Sequence, residues 1–298
     1  MQYVNFRPPL RIVLNNECNG KCNFCHQEGN TSQSSLSMKT LVQCIDAINK
    51  LRITNVSLTG GEPTLCKDLA QIINIISAQC KDTRLSLTTN GLNLRSIAPQ
   101  IKYTIYGVNL SIVSFDPSIA QKYQNVIPEE ALDGLDKFPA SNKNLNVMVL
   151  EHNYQEIDEF IRLCIRSEYN LDLMFLNRND PEYQMIQINV LNRLIKRGDA
   201  QILLQSTPVM QINISEKNYV RVKHPSLSKL VHREMCKGCI EEEKCFERVC
   251  AVRVYGNELV SPCLSNHIQE KQGGSIVEKI EAAYNKLEII SGIYEFDV

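Results

Sequence analysis

The feature that most constrains the fold is an alternation of strand-like and helical runs between residues 10 and 176. Short runs rich in Leu, Ile and Val are separated by segments whose apolar residues recur at helical spacing, as in 37–51, 69–78 and 155–167. A parallel strand connection needs a crossover long enough to hold a helix, so this alternation favours a parallel sheet. The strand-like runs are 10–14, 55–58, 85–88, 108–113, 145–150 and 171–176.

The pattern changes after Asn177, which predicts three segments. We expect an α/β domain over residues 1–180 and a connecting helix and hairpin over 181–230. Residues 231–298 combine a second group of cysteines with a C-terminal helix. The helices are predicted at 182–196 and 275–287, and the hairpin strands at 210–215 and 219–222.

Composition narrows the functional classes. The chain has 298 residues, 43% of them hydrophobic and 22% charged, with a formal net charge of -1. That balance does not favour bulk nucleic-acid or membrane binding, and no apolar run is long enough to cross a bilayer. The first residues lack the apolar core of a signal peptide, so we expect a cytoplasmic protein. Disulfides are not expected to explain its 12 cysteines in that compartment.

Three of those cysteines lie in one short loop that follows the first strand-like run. Cys18, Cys22 and Cys25 have C-x3-C-x2-C spacing. Three thiolates can hold three irons of a [4Fe–4S] cluster, which leaves the fourth iron open to chelate an amine and a carboxylate. Zinc and an ordinary ferredoxin-like cluster are the alternatives that the spacing alone leaves open.

Three further motifs follow in order, two at the ends of strand-like runs and the third containing the fourth run itself. They are the Thr-Gly-Gly-Glu-Pro turn at 59–63, Thr-Thr-Asn-Gly at 88–91, and the segment 108–117. Together with the cysteine loop, these motifs resemble the radical S-adenosylmethionine (SAM) superfamily. The resemblance implies a (β/α)6 partial TIM barrel with its chemistry at the carboxyl ends of the strands. It also implies a [4Fe–4S] cluster that binds SAM and cleaves it to a 5′-deoxyadenosyl radical.

The same resemblance implies roles for individual residues. The two glycines of the turn let the backbone pass close to the methionine part of SAM, where Glu62 helps to receive the amino group; a plain strand-to-helix turn is the alternative. Ser111 is preferred over Ser114 for the SAM carboxylate or ribose, because residues three apart share a strand face only across a bulge. Phe24 either packs near the adenine or fills the loop. The implied SAM-binding residues are Phe24, Gly60, Gly61, Glu62, Thr88, Asn90, Ser111 and Ser114.

The second cysteine group predicts another metal site. Its sequence ends in Arg253, Gly256 and Pro262-Cys263-Leu264, which resembles the auxiliary-cluster regions of the twitch or SPASM type. We therefore expect a second [4Fe–4S] cluster, with structural zinc as the alternative. Five cysteines for at most four irons leave one spare, either a hydrogen-atom donor or an unused thiol. The candidate ligands are Cys236, Cys239, Cys245, Cys250 and Cys263.

Within the superfamily, the chain most resembles the GTP 3′,8-cyclases of molybdenum-cofactor biosynthesis. The resemblance rests on residues 7–12, the Cys-His-Gln-Glu-Gly run at 25–29 and the Asn-Tyr-Gln-Glu run at 153–156. It implies that Arg11 and Arg253 bind substrate, at opposite ends of the barrel mouth.

Three departures from the cyclase pattern concern charge. Ser57, Met174 and Ala251 stand where the cyclases have arginine. A triphosphate needs several charge-assisted contacts, so we expect a substrate other than GTP. Arg11 and Arg253 could then bracket a smaller anion.

The sequence therefore predicts a radical SAM enzyme that abstracts hydrogen from a small-molecule or peptide substrate in a biosynthetic pathway. A flavodoxin or ferredoxin is the expected electron donor. A divergent GTP 3′,8-cyclase is the first alternative, and a peptide or sugar epimerase or dehydrogenase is the second. A non-catalytic Fe–S or zinc protein is the third, and the complete Gly-Gly-Glu-Pro turn argues against it.

Overall fold

The computed structural model describes nine stretches of the chain and places eleven strands in them. The described residues are 7–25, 27–28, 35–203, 208–228, 234–236, 239, 245, 251–264 and 273–287. The strands are β1 (Leu10–Val13), β2 (Asn55–Thr59), β3 (Arg84–Thr89), β4 (Ile105–Ser111), β5 (Ala140–Met148), β6 (Asn170–Met174), β7 (Ala200–Leu203), β8 (Val209–Asn213), β9 (Tyr219–Lys223), β10 (Val252–Val254) and β11 (Val260–Ser261).

The helices of the described residues connect these strands or follow the last of them. They are α1 (Met38–Lys50), α2 (Leu69–Gln79), α3 (Leu94–Ile97), α4 (Pro117–Tyr123), α5 (Pro128–Lys137), α6 (Ile157–Ser167), α7 (Pro181–Ile195), α8 (Pro225–Ser228) and α9 (Ile276–Asn285). None of the helices in these residues is long and apolar enough to cross a membrane.

All eleven strands belong to one sheet, in the order β11-β10-β1-β2-β3-β4-β5-β6-β9-β8-β7. Strands β1 to β6 pair in parallel with their neighbours in chain order. β10 joins β1 and β9 joins β6, both in parallel, while β11, β8 and β7 add antiparallel edges. This is the partial TIM barrel that the sequence predicts, and strands from all three predicted segments contribute to its sheet.

Along each parallel strand, alternate residues point to opposite faces of the sheet, one mainly apolar and the other mainly polar. On β4, β5 and β6 the buried apolar residues, such as Leu110, Val147 and Leu173, belong to the main hydrophobic core together with residues of α2, α5 and α6. Successive strand residues point to opposite faces, so the residues between them line the inner face of the barrel. That inner face carries polar side chains, which include Ser57, Ser86, Thr88, Asn109, Ser111, Asn144, Asn146 and Asp172.

The long periodic elements have the predicted positions. α1 begins where the capping residue predicts, because the Ser37 side chain accepts a hydrogen bond from the backbone N–H of Thr40 at 3.0 Å. The predicted helices at 69–78, 155–167, 182–196 and 275–287 are confirmed as α2, α6, α7 and α9.

The sequence analysis missed five of the shorter elements. α4 and α5 each begin with a proline in their first turn and follow directly after β4, where no clear helical period stands out. β7, β10 and β11 have four, three and two residues, too few for a period to identify. Their pairing depends on partners far away in the sequence.

Candidate functional site

The cysteine loop, residues 15–25, begins two residues after β1, at the carboxyl edge of the parallel strands. Cys18 and Cys25 are exposed and Cys22 is half-buried. Backbone N–H groups donate to two of the sulfurs, from Gly20 to Cys18 Sγ at 3.3 Å and from Gln27 to Cys25 Sγ at 3.2 Å. Such bonds stabilise negative charge on sulfur, as a metal-bound thiolate requires.

The thiol groups of the cysteine loop are suitable ligands for a soft metal ion such as iron. Burial, together with the nearby sulfur charges of Cys25 and Cys18, raises the pKa of the Cys22 thiol to about 12. Burial likewise raises the pKa of Cys18. Among the described residues, no three potential ligands already stand at the spacing of a metal site. The thiols therefore suit a bound cation that stabilises them as thiolates, and they would have to draw together around it.

The glycines of the turn at 60–63 are needed because the cysteine loop packs directly on them. A Cβ atom on Gly60 would lie 2.3 Å from the Asn15 side-chain oxygen, and one on Gly61 would lie 2.3 Å from the Glu17 carbonyl oxygen. The Gly61 N–H donates to Asn15 O at 2.9 Å, and the Asn15 side chain donates to Glu62 O at 2.9 Å. The turn thus positions the start of the cysteine loop.

Glu62 is a buried carboxylate that joins the ends of β2 and β3. Its Oε1 accepts hydrogen bonds from the Thr64 N–H at 2.9 Å, the Thr64 hydroxyl at 2.6 Å and the Thr89 hydroxyl at 2.6 Å. Its Oε2 accepts one from the Asn90 N–H at 2.7 Å. With only 2% of its surface exposed, Glu62 is held by four donors of the protein itself. Any contribution to ligand binding comes from a side chain that is already fixed.

Polar contacts hold the middle of the cysteine loop against β3 and α4. The Asn90 side chain donates to Asn19 Oδ1 at 2.7 Å, and the Asn125 side chain donates to Asn19 O at 2.8 Å. The Lys21 N–H donates to the Gln124 carbonyl at 2.9 Å. The Gln124 side chain is buried and closes the end of β4, where it donates to Ser111 O and accepts from the Val113 N–H.

The remaining predicted SAM-binding residues take different positions. Ser111 and Thr88 are half-buried on the inner face of the barrel. Ser114 lies beyond the end of β4 and is fully buried, with its hydroxyl donating to Glu156 Oε1 at 2.7 Å. Phe24 packs on a small apolar cluster that includes Val113. The two serines therefore do not share a strand face, and Ser111 is the one that faces the interior.

Arg11 and Arg253 are neighbours, which corrects the expectation that they lie at opposite ends of the barrel mouth. β10 pairs in parallel with β1, and the two arginines are partners in that register. Both bind the buried carboxylate of Glu28: Arg11 Nη1 lies 3.1 Å from each carboxylate oxygen, and Arg253 Nε contacts Oε1. Thr59 donates to the same group. Arg253 has 1% of its surface exposed, so its charge depends on partners inside the protein, of which Glu28 is one.

The second cysteine group is described in part. Cys236, Cys239 and Cys245 are half-buried, and Cys263 is buried directly after β11. The Cys239 N–H donates to Cys236 O at 3.1 Å, so these two cysteines lie close together. Cys250 lies outside the described residues.

Sequence reasoning missed the polar residues that position the motifs. Asn15, Asn19, Gln124 and Asn125 are single polar residues whose partners lie far along the chain, so no local pattern marks them. Glu28 was part of the quoted Cys-His-Gln-Glu-Gly run, but its pairing with two arginines was not foreseen.

Two further cations on β9 were also missed. Arg221 makes two hydrogen bonds to the buried carboxylate of Asp172, at 2.6 and 2.9 Å. Lys223 Nζ lies 3.8 Å from the same carboxylate. The alternation Tyr-Val-Arg-Val-Lys at 219–223 was a signal, because it places both cations on one strand face.

Comparison with known proteins agrees with this geometry. The profile of the Radical SAM superfamily matches residues 12–164, which contain the cysteine loop, the turn at 60–63 and strands β2 to β5. A protein of Thermococcus kodakarensis called "Probable GTP 3',8-cyclase" is 33% identical over 186 residues, or 59% of this chain and 60% of that protein. A protein of the same name from Sulfurisphaera tokodaii is 26% identical and covers 97% of this chain and 91% of the relative.

Solved structures share the fold at low sequence identity. Streptococcus suis SuiB, bound to its precursor peptide SuiA, superposes with a TM-score of 0.65 at 17% identity, over 94% of this chain and 65% of that one. A structure described as native anSMEcpe with bound AdoMet and a peptide has a TM-score of 0.61 at 15% identity, over 94% of this chain and 81% of the other.

Proposed function

Because this chain belongs to the radical SAM superfamily, we propose that Cys18, Cys22 and Cys25 hold a [4Fe–4S] cluster that binds SAM. Such a cluster would supply one electron for cleavage of SAM into methionine and a 5′-deoxyadenosyl radical, and that radical would take a hydrogen atom from the substrate. The observation that carries this proposal is the rigid attachment of the cysteine loop to the turn at 60–63. Such attachment keeps the three thiols at the carboxyl edge of the barrel, where a ligand in the interior can reach them.

The protein's own side chains account for the rest of the proposed SAM site. Gly60 and Gly61 let the backbone of the cysteine loop pack directly on the turn, so the loop and the turn together form one wall of the proposed site. Ser111 presents its hydroxyl to the interior one strand away from Thr88. Phe24 covers the apolar cluster at the end of β4 and excludes water from that side. Glu62 holds β2 and β3 in register while those groups bind.

The substrate that the comparisons favour is GTP. The expectation of a different substrate is not supported by the relatives, since two of them are named as probable GTP 3',8-cyclases and one aligns over 97% of this chain. The chain also has cations that the sequence analysis did not count, Arg221 and Lys223. These can take over part of the charge lost at Ser57, Met174 and Ala251. We propose GTP cyclisation as the reaction to test first.

A substrate other than GTP is the second candidate, and one observation favours it. Arg11 and Arg253 share the single buried carboxylate of Glu28. One of their two positive charges is therefore already balanced before any substrate arrives. A triphosphate would meet less net positive charge there than two separate arginines would provide.

We also propose an auxiliary [4Fe–4S] cluster at the second cysteine group, with Cys236, Cys239, Cys245, Cys250 and Cys263 as the candidate ligands. The half-buried cysteines and the hydrogen bond between Cys239 N–H and Cys236 O support it. A small low-potential iron–sulfur protein or flavoprotein would supply electrons.

The decisive experiment is anaerobic reconstitution followed by reduction with dithionite in the presence of SAM. Wild-type protein should release 5′-deoxyadenosine and methionine, and it should hold about eight irons per chain if both clusters form. The variant with Cys18, Cys22 and Cys25 replaced by alanine should hold about four irons and release no 5′-deoxyadenosine. Cys66→Ala, a half-buried cysteine outside both groups, is the matched control and should behave as wild type. If wild-type protein with its full iron content never cleaves SAM, the proposed radical SAM activity is refuted.

The substrate is tested by incubating the same preparation with SAM, dithionite and GTP. Formation of the 3′,8-cyclised nucleotide supports the cyclase. Release of 5′-deoxyadenosine without any cyclised nucleotide, together with no GTP binding by calorimetry, would favour a substrate other than GTP.

A further inference from the structure

A row of polar side chains crosses the inner face of the barrel from the proposed SAM site to the far strands. Ser111 pairs in register with Asn146, Asn146 with Asp172, and Asp172 with Arg221. Neighbouring strands lie about 4.8 Å apart, so the row spans roughly 14 Å. A substrate that touches Ser111 at one end can therefore reach Arg221 at the other.

Two side-chain carbonyl oxygens near the middle of this row have no hydrogen-bond partner among the residues that the structure describes. They are Oδ1 of Asn144 and Oδ1 of Asn146, and both atoms are buried. Asn144 has 7% of its surface exposed, and its amide nitrogen donates to Asn109 at 2.9 Å, which fixes its orientation. A buried acceptor left without a hydrogen bond destabilises the folded protein, so such atoms in a native protein call for an explanation. A bound ligand with N–H or O–H donors supplies one.

The far end of the row carries an excess of positive charge. Arg221 neutralises the buried Asp172 carboxylate through two hydrogen bonds from Nε and Nη2. Guanidinium has five N–H donors, so three remain for another acceptor. Lys223, two residues further on the same face, lies 3.8 Å from that carboxylate, which is beyond hydrogen-bond distance. Its side chain is 37% exposed. Two cations here face one carboxylate, which leaves one net positive charge.

We infer that this inner row is a substrate subsite for a nucleotide, in which Lys223 and Arg221 bind the phosphates while Asn144 and Asn146 accept hydrogen bonds from the nucleoside. The inference rests on the proposed function, because it assumes that the substrate enters the barrel. The chemistry matches a nucleotide because the row offers acceptors in the middle and cations at one end. Lys223 ends β9, which runs parallel to β6, so it lies at the same edge of the barrel as the cysteine loop.

Calorimetry on the full, anaerobically reconstituted chain tests this subsite without turnover. The probes are GTP, guanosine and inorganic tripolyphosphate. Lys223→Met should weaken binding of GTP and tripolyphosphate by about 10- to 100-fold and leave guanosine unchanged. Lys223→Arg should restore most of the loss. Lys217→Met, at an exposed lysine of the same hairpin, is the matched control and should stay within about twofold of wild type.

Asn146→Leu separates the two halves of the subsite. This variant should weaken the binding of GTP and of guanosine by the same factor and leave tripolyphosphate binding unchanged. If Lys223→Met binds GTP as tightly as wild type does, or if wild type binds neither GTP nor tripolyphosphate, the inference is overturned. Lys223-dependent binding of tripolyphosphate without any cyclised product would instead uphold the anion subsite and reject GTP as the substrate.

Discussion

Glu62 shows how one motif residue can hold two strand ends in place. Its carboxylate accepts four hydrogen bonds, two of them from backbone N–H groups that cannot rotate away. Because those donors come from the turn after β2 and from the end of β3, the charge of Glu62 stabilises the geometry of both ends. The motif predicts the presence of this residue, and the structure supplies the reason for a carboxylate.

Replacing Glu62 by glutamine therefore tests a structural role. Glu62→Gln places an amide NH2 against at least one fixed N–H donor and removes the charge from the remaining bonds. We expect a loss of about 1.5–3 kcal/mol in the free energy of unfolding, measured by urea titration. Glu17→Gln, at an exposed neighbour in the cysteine loop, should change it by less than about 0.5 kcal/mol. Equal stability of the two variants would contradict this role.

Single residues were also the least predictable part of the site. The three cysteines and the two glycines stand out because their spacing forms a local pattern. Asn19 and Gln124 have no such pattern, since their roles arise only when α4 packs against the cysteine loop. Local sequence predicts motifs, while the supports of a motif depend on long-range contacts.

At the scale of elements, the turn at 60–63 and the cysteine loop behave as one unit. Backbone bonds join Asn15 to Gly61 and Glu17 to Glu62. A side chain at Gly61 cannot be accommodated by rotation, because the obstructing atoms belong to the backbone of Glu17 and Asn16.

Gly61→Ala should therefore displace the cysteine loop. We expect iron bound at this loop to fall well below the wild-type level after reconstitution, and the unfolding free energy to fall by about 1–3 kcal/mol from overpacking. The matched control is Gly107→Ala in β4, where a Cβ atom would meet its nearest neighbour at an ordinary 3.5 Å. Full iron loading in Gly61→Ala would show that the loop adapts and that the turn does not position it.

Elements were predictable where they were long. The helices that became α1, α2, α6 and α7 have clear apolar periods, and their strands are bounded by turns. β10 was not predicted, because its three residues are too few for a local pattern and form a strand only by pairing with β1. That one omission also produced the wrong placement of Arg253 relative to Arg11.

For the whole molecule, the Arg11–Glu28–Arg253 cluster ties the end of the sheet together. Glu28 follows the cysteine loop, Arg11 lies on β1 and Arg253 on β10, so one carboxylate joins three distant segments. Arg253 is almost fully buried, and a buried guanidinium depends strongly on the charge beside it.

Glu28→Gln should destabilise the protein by about 3–5 kcal/mol, because it removes the carboxylate from a buried cation. The double variant Glu28→Gln/Arg253→Met should recover part of that loss, since the buried charge is also gone. Asp46→Asn, which breaks the exposed pair with Lys50, is the control and should cost less than about 1 kcal/mol. Unfolding free energies from urea titration decide the outcome. A double variant no more stable than Glu28→Gln would contradict the charge argument.

The parallel pairing of β1 with β10 also sets an order of assembly. During synthesis β1 can pair with β2 early, but its other edge stays open until residues 252–254 leave the ribosome, nearly the whole chain later. Contacts of such long sequence separation form slowly, and an open strand edge can pair with other chains in the meantime. Arg253 reaches Glu28 only at that stage, so the segment beside the cysteine loop is completed last. A chain truncated before residue 252 should therefore aggregate more readily than the 298-residue chain, and the proposed cluster should be inserted only after β10 has paired with β1.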